Sequence, residues 1–396
     1  MGARNKVAEL LERASRLREA GRPAQAASMC RKALAADPAS VDALCLLGTL
    51  LAGTGDLAGA ETHLRRAHRL RPDSDVVMIN LGTLARLKGD LRGGIEWYER
   101  ALATGSGNPA VDANLGSAYL NAGRDADAEP HLRRHLAQHP GHFAALCLLG
   151  DALRGQQRLD EAAAQYRLAL ALEPGSIEAR HALAACIGEA PESAPASYAR
   201  QVFDTYAPSY DEHYGAALES NGPRAVREAV QARCAGRRDL RALDLGCGTG
   251  LAGAALRPLS ARLVGVDVSP GMLAVARRKG LYDELVERDA MAYLAGAAEA
   301  FDLVVAQDVF PYLGALAQPL GAARRIAAPG ALLVCTLEST QAGDWRLGAG
   351  LRYAHSRAHV ERAATAAGWD VVAVEDFAFR KEASGWTAGW VVTLGA

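Results

Sequence analysis

Small side chains recur every 34 residues along the first half of this chain, at Ala14, Gly48, Gly82, Gly116 and Gly150. Twelve residues after each stand Ala26, Ala60, Gly94, Ala128 and Ala162, and seven further on Ala33, Ala67, Ala101, His135 and Ala169. Pro38, Pro72, Pro140 and Pro174 close four of the units, with Ser106 at the corresponding position of the remaining one. Side chains this small let paired helices approach closely, and proline cannot continue a helix. Each unit therefore reads as two helices ended at the proline. One such unit cannot bury its apolar face alone, so a regular series of them predicts a stacked helical solenoid.

The pattern resembles the tetratricopeptide repeat, and the resemblance covers five units, about residues 7–176. Residues 177–189, IEARHALAACIGE, continue the apolar period as one more helix, expected to cap the array and complete a solenoid over 1–189. APESAPAS at 190–197, with Pro191 and Pro195, reads as a linker. From 198 to 396 the rhythm changes. Short β-rich runs at 241–246, 262–267, 284–288, 301–307 and 331–337 alternate with helix-sized segments, the signature of a parallel sheet with crossover helices. Two further runs, 370–378 and 387–394, are joined only by FRKEASGW, which is too short for a crossover. They are expected as antiparallel neighbours at one edge.

RALDLGCGTGLAG, residues 241–253, is a strand running into a glycine turn, and it contains G-x-G-x-x-G at Gly248, Gly250 and Gly253. That spacing alone would suggest a dinucleotide site. Two features oppose it. The turn already begins at Gly246, and Asp244 stands two residues before that glycine, where a carboxylate would repel a pyrophosphate but attract an ammonium group.

L-D-L-G-C-G-T-G at 243–250 resembles the first motif of class I S-adenosylmethionine (SAM)-dependent methyltransferases, and the antiparallel edge pair is a mark of the same fold. The fold class expected is thus an α-solenoid followed by a Rossmann-like α/β domain with a seven-stranded sheet. The resemblance implies SAM as cofactor, held by Asp244, Gly246, Cys247, Gly248 and Gly250 in the turn. Asp267 ends the second strand, where a carboxylate can accept ribose hydroxyls, and Val268 follows it as a further cofactor-binding residue. Met272 would pack on the adenine, Asp289 with Ala290 would meet its amino group, and Gln307 with Asp308 would form the cleft floor.

Residues 198–223 are too aromatic and polar for a plain linker. Tyr206, Tyr210 and Tyr214 would share one face if helical, placing Tyr206 and Tyr210 in a lid over a sulfonium cation. F-D-x-Y-A-x-x-Y-D-x-H at 203–213, D-V-x-x-Y-L-G at 308–314, and His355 with Arg380 are similar to a bacterial group of methyltransferases carrying tetratricopeptide repeats ahead of the catalytic domain. Ala315, Trp386 and Trp390 depart from that group's pattern, which bears on the acceptor.

Methyl transfer needs an aligned, desolvated acceptor and a base if the acceptor carries a proton. His213 and His355 are the candidate bases, and Asp308 and Tyr312 are weaker catalytic candidates, since either can serve to position groups alone. No metal is expected. His131, His135 and His139 share a helical face, but His135 holds a packing position and no acid or cysteine in the pattern completes a set.

Asn80 and Asn114 occupy one register of neighbouring repeats, on the helices expected to line the groove. An amide there can pair with a peptide backbone. The leading reading is a SAM-dependent methyltransferase whose repeats recruit a protein or peptide. A small-molecule methyltransferase with repeats for docking or dimerisation, and a non-catalytic scaffold, stay open. The oligomeric state is not indicated.

Charge narrows the partners. The chain's 44 basic and 45 acidic residues are balanced in each half, so no basic surplus for nucleic acid exists. The charged opening stretch lacks the apolar centre of a signal peptide, and no apolar run reaches the ~20 residues of a membrane span. Seven cysteines without a CxxC pair read as reduced core residues of a cytoplasmic protein.

Overall fold

The computed structural model describes residues 2–207, 210–212, 221–382 and 385–396. Its contacts divide it into two compact units, Met1–Pro174 and Gly175–Ala396.

The first unit is a run of antiparallel helix pairs: α1 (Gly2–Glu19) with α2 (Pro23–Ala36), α3 (Val41–Gly53) with α4 (Leu57–Leu70), α5 (Asp75–Leu87) with α6 (Leu91–Ala103), α7 (Pro109–Asn121) with α8 (Asp125–Gln138), and α9 (Phe143–Gly155) with α10 (Leu159–Leu172). The reason for small residues at the 34-residue period is steric. A side chain on Gly48 would stand 2.6 Å from Leu64, on Gly82 2.6 Å from Tyr98, on Gly116 2.5 Å from Leu132, and on Gly150 2.6 Å from Tyr166. Each glycine is the hole for a knob on its partner helix. Asp56 and Asp90 start α4 and α6 by accepting the backbone N–H of Gly59 and Gly93 at 2.9 and 2.8 Å, caps typically contributing about 1 kcal/mol each. Pro72, Pro140 and Pro174 follow the ends of α4, α8 and α10 as expected.

The second unit opens with α11 (Ile177–Ile187), α12 (Ala196–Tyr206), α13 (Tyr210–Glu212) and α14 (Gly222–Cys234). It continues as β1 (Leu240–Leu245), α15 (Gly253–Leu256), β2 (Ser260–Asp267), α16 (Pro270–Lys279), β3 (Glu284–Glu287), α17 (Ala290–Gly296) and β4 (Phe301–Ala306). It ends with α18 (Ala317–Arg325), β5 (Ala327–Ser339), β6 (Trp345–Leu347), β7 (Tyr353–His355), α19 (Arg357–Ala366), β8 (Asp370–Glu382) and β9 (Gly385–Gly395). The main sheet runs β3-β2-β1-β4-β5-β9-β8, parallel through β5, with β9 antiparallel to both neighbours. All seven expected strands are present. The short β6–β7 hairpin, whose β7 pairs with the end of β5, is an addition the sequence pattern did not disclose. Apolar clusters bury the sheet on both faces, Leu243, Val264, Val304 and Trp369 on one side and Leu263, Leu303, Val305 and Val230 of α14 on the other. Near-continuous apolar strands are the consequence of that double burial.

The division between units falls at Pro174, ahead of the expected boundary at 190–197. α11 belongs to the second unit: Ser197 donates to Glu178 at 2.6 Å, and the His181 ring lies 5.8 Å from Tyr198 and 6.1 Å from Tyr353. Residues expected as a linker are instead a bonded strap. The N–H groups of Gly314 and Ala315 donate to the Glu192 carbonyl at 2.8 and 2.9 Å, and Ala194 N–H donates to the Tyr312 carbonyl at 2.8 Å. The lid segment also differs from one continuous helix, since α12 ends at Tyr206 and Tyr210 opens α13. Six of the cysteines are buried, and Cys147 is partly so. Among the described residues no helix is long and apolar enough to cross a membrane.

Candidate functional site

β1 and β4 are adjacent, yet their onward connections lead to opposite sides of the sheet, so a crevice opens at their carboxyl ends. The glycine turn lies there. Gly246, Gly248 and Gly250 have φ of +71°, +52° and +89°, a region that favours glycine, and a side chain on Gly246 would collide with Val309. The turn's amides are already committed: Gly246 and Cys247 donate to the Val266 carbonyl at 2.8 and 2.9 Å, Gly250 to the Cys247 carbonyl at 2.8 Å, and Gly248 to Oδ2 of Asp267 at 2.9 Å. None of these four is left to cradle a phosphate. The third glycine of the dinucleotide-like spacing, Gly253, instead leaves room for the Tyr282 hydroxyl.

Carboxylates stand along the crevice, Asp244 on a smaller hollow and Asp267 and Asp289 on a larger cleft. Asp244 is fully buried in β1. Its Oδ2 accepts from the Tyr282 hydroxyl at 2.6 Å, while Oδ1 has no partner among the described residues. Burial pushes its pKa up to about 7, with the Tyr282 hydrogen bond acting in the opposite direction. Asp267 accepts the backbone N–H groups of Gly248 and Ser269, at 2.9 and 2.8 Å. Burial holds its carboxyl above the usual range against those two donors. Asp289 caps α17 through the Ala292 N–H at 3.0 Å and also lines the crevice.

Asp267 and Asp289 line a cleft of about 820 Å³, counting all the space at its open mouth. Gly246, Gly248, Asp267, Val268, Met272, Asp289, Ala290, Gln307 and Asp308 line it, along with Met291, Arg288 and Tyr312. A smaller adjoining hollow is lined by Asp244, Cys247, Gly248 and Thr249, and Tyr210 borders both. Of the expected cofactor residues whose side chains are described, Gly250 lines neither space; it shapes the turn. The strap supplies Ala194 and Pro195 to the wall, and α12 supplies Ala199 and Phe203. The Phe203 ring meets Tyr210 at 6.3 Å and Tyr312 at 5.6 Å, both edge to face.

Two aspartates fasten the upstream segment to the turn region. Asp204 accepts from the Ser269 hydroxyl at 2.5 Å and the Gly271 N–H at 3.1 Å. Asp211 accepts from Thr249 at 2.5 Å and pairs with Lys279 at 2.7 Å. The side chain of Tyr206, all of His213 and Tyr214, and the side chain of Arg380 lie outside the described residues.

Asp308 is at the cleft floor with φ +61°, its N–H donating to Thr336 at 2.9 Å. Its carboxylate is paired with Arg352, which also donates to Glu338 at 2.5 Å and to the Tyr312 hydroxyl at 3.0 Å. Arg352, a buried cation holding two acids, carried no sequence signal. His355 differs from the expected catalytic placement: it is fully buried on β7, stacked 5.6 Å from His359, and lines neither space. Burial lowers its pKa to about 4, helped by His359. Ala315, Trp386 and Trp390 also stand off the cleft. Trp390 donates to Asp376 at 2.8 Å, Trp386 is exposed, and the Ala315 amide is bonded to the strap.

In the repeats, Asn114 donates its amide to the Ala110 carbonyl one turn back, at 2.7 Å. Asn80 hydrogen-bonds Cys45, whose thiol burial pushes up to about 11. An acid does stand beside His131: Asp112 lies 2.7 Å from its Nδ1. His135 turns elsewhere, to the Pro109 carbonyl and His142, both at 3.0 Å. Among the described residues no group of three or more His, Cys, Asp or Glu is disposed to hold a metal ion.

Fold and site together define a helical-repeat protein with a doubly wound α/β domain, whose cleft suits a phosphate-free, cationic nucleoside. SAM fits these residues: Asp244 Oδ1 and Gln307 Oε1 are buried acceptors without partners, both in residues lining the smaller hollow, and an ammonium group could supply their donors. Residues 243–335 match the family model of a methyltransferase domain, and residues 17–82 and 114–177 match tetratricopeptide-repeat models. The chain thus carries tetratricopeptide repeats and a methyltransferase domain.

A ubiquinone biosynthesis O-methyltransferase of Cereibacter sphaeroides is 35% identical over 101 residues, 24% of this chain and 40% of that protein. A malonyl-[acyl-carrier protein] O-methyltransferase of Enterobacter lignolyticus is 31% identical over 134 residues, 34% of this chain and 51% of that protein. The chain therefore spans about two fifths to a half of the length of these relatives. Among solved structures, a Burkholderia thailandensis 1,6-didemethyltoxoflavin-N1-methyltransferase with bound S-adenosylhomocysteine is 19% identical, covering 52% of this chain and 92% of that one, with a TM-score of 0.41.

Proposed function

We propose that this protein transfers a methyl group from SAM to a protein or peptide acceptor recruited by its repeats. The observation that carries the enzyme reading is the partnerless Asp244 oxygen just before a glycine turn in which the amides of Gly246, Cys247, Gly248 and Gly250 are already bonded within the protein.

When bound, the cofactor supplies a methyl group activated by its sulfonium. The chain's residues position and shield. Asp244 takes the ammonium end, and Asp267, whose oxygens each have a further lone pair, accepts from ribose hydroxyls. Val268, Met272 and Ala290 enclose the base, with Asp289 beside its amino group. Phe203, Tyr210 and Tyr312 exclude water, and ring faces near the sulfonium favour its charge. Of the four residues considered for proton removal, Tyr312 and Asp308 line the cleft among the described residues, and Asp308 brings the carboxylate. Arg352 fixes its carboxylate, which suits it to orient an acceptor donor group.

The acceptor class rests on the five repeats joined to a domain with its own cofactor cleft, and on Asn80 and Asn114 as groove amides. A small-molecule acceptor is the second reading, favoured by the relatives named for ubiquinone biosynthesis and for malonyl-[acyl-carrier protein]. Labelled methyl transfer from SAM into cell extract, separated into protein and small-molecule fractions, distinguishes them. Label in protein that disappears when residues 1–174 are removed supports peptide recruitment. Label confined to small molecules replaces it with the second reading, and no label in either fraction overturns the enzyme assignment.

A further inference from the structure

Tyr282 follows α16 and reaches back beneath the glycine turn. Three glycines make its place: a side chain on Gly253 would strike the hydroxyl, one on Gly265 would come within 2.8 Å of the ring, and one on Gly250 within 3.1 Å. The hydroxyl donates to Oδ2 of Asp244 at 2.6 Å, and the opposite oxygen is the buried one without a partner.

We propose that Tyr282 is a positioning residue for cofactor binding: its hydroxyl holds one oxygen of Asp244 and turns the other toward the ligand's ammonium group. The inference rests on the SAM reading above. A phenol can donate one hydrogen bond, and donation to the charged form of a carboxyl favours that form. Among the described residues, the other titratable groups facing Asp244 are Asp267 on β2 and the Cys247 thiol in the turn. Both are acid groups that oppose its ionisation when charged. Tyr282 is therefore the group that makes a carboxylate tenable in this buried position, and Gly250, Gly253 and Gly265 are small on its account.

The test is the pH dependence of binding to the full-length protein, for SAM and for 5′-methylthioadenosine, which has the adenine, ribose and thioether but no amino-acid end. In Tyr282→Phe the ring packing stays and the donor goes. If the Asp244 carboxyl, near pKa 7 in the natural chain, rises by about one unit, its ionised fraction at pH 7 drops from about a half to about a tenth. SAM affinity should then fall ~5-fold at pH 7, with the gap to the natural protein closing as pH rises. The ligand amine titrates identically with both proteins and cancels in the comparison. Binding of 5′-methylthioadenosine should be unchanged at every pH.

Gly253→Ala, which displaces the hydroxyl without removing it, should move the SAM profile in the same direction. An equal loss of both ligands at all pH values, or loss of fold in both variants, makes Tyr282 structural only and overturns the proposal. An unshifted SAM profile overturns it too. Failure of the natural protein to bind either ligand is a different result, because it overturns the SAM reading itself.

Discussion

The Gly248 amide donates to Asp267 Oδ2 at 2.9 Å, so the glycine turn and the carboxylate that ends β2 form one bonded unit. Asp267 also holds the Ser269 N–H, which ties the start of α16 into the same unit. A change at Asp267 is therefore felt both in the glycine turn and at the start of α16.

Asp267→Ala should weaken SAM by about 1–3 kcal/mol, the range for stranded hydrogen-bonding partners. Because the turn loses its own anchor, the ligand-free melting temperature should fall as well. Calorimetric titration and a thermal melt read the two effects separately. An affinity loss with no change in melting temperature would show that the turn holds its shape without the carboxylate.

His355 predicts acid sensitivity of the second unit. Its folded pKa of about 4 lies below the ordinary 6.5, so below pH 6.5 the unfolded chain binds a proton that the folded chain resists. Stability should be unaffected by this group above pH 6.5 and decline from there toward pH 4, by roughly 3 kcal/mol in all. His355→Phe should flatten that acid limb in melts recorded from pH 7 to pH 4. An unchanged limb would assign the acid sensitivity to other groups.

Gly150→Ala tests the knob and hole of the last repeat. Alanine gains about 1 kcal/mol of helix propensity over glycine. Its methyl would stand 2.6 Å from the Tyr166 ring, which is fully buried and held through its hydroxyl by Asp151 at 2.8 Å. Overpacking of this kind costs about 1–3 kcal/mol, so the repeats should melt earlier while SAM affinity stays constant. A higher melting temperature would mean the ring gives way easily.

Truncation should depend sharply on where the cut falls. Residues 175–396 keep α11 and the strap and should bind SAM like the full chain. Residues 198–396 lack Ala194 and Pro195 from the cleft wall and should bind measurably less tightly. Equal affinities in a side-by-side titration would remove the strap from the site.

Much of this was readable from the residues alone because it was periodic or contiguous. The 34-residue recurrence of small residues specified the helix pairs, and the run from Leu243 to Gly250 located the cleft at the end of β1. What escaped was assembled across the sequence. Tyr282 meets Asp244 from 38 residues away, and Arg352 meets Asp308 from 44. No local spacing signals either. Asp112 likewise reaches His131 from another helix of its pair. His355 was singled out by motif likeness, but its burial among β7 and α19 is decided by a hairpin of two three-residue strands. Those strands are too short to show a period.

The strap at 190–195 is held through its main chain, by amides and carbonyls that every residue but proline can supply. Substitution at Glu192 or Ser193, which do not line the cleft, therefore leaves both the bonding and the wall intact. The strap's partner admits no such change. A side chain on Gly314 would sit 2.5 Å from the Trp345 indole nitrogen and 2.8 Å from the Pro191 carbonyl. Selection to keep the wall closed would thus register at Gly314, on the far side of the bonds, more than at Glu192 or Ser193.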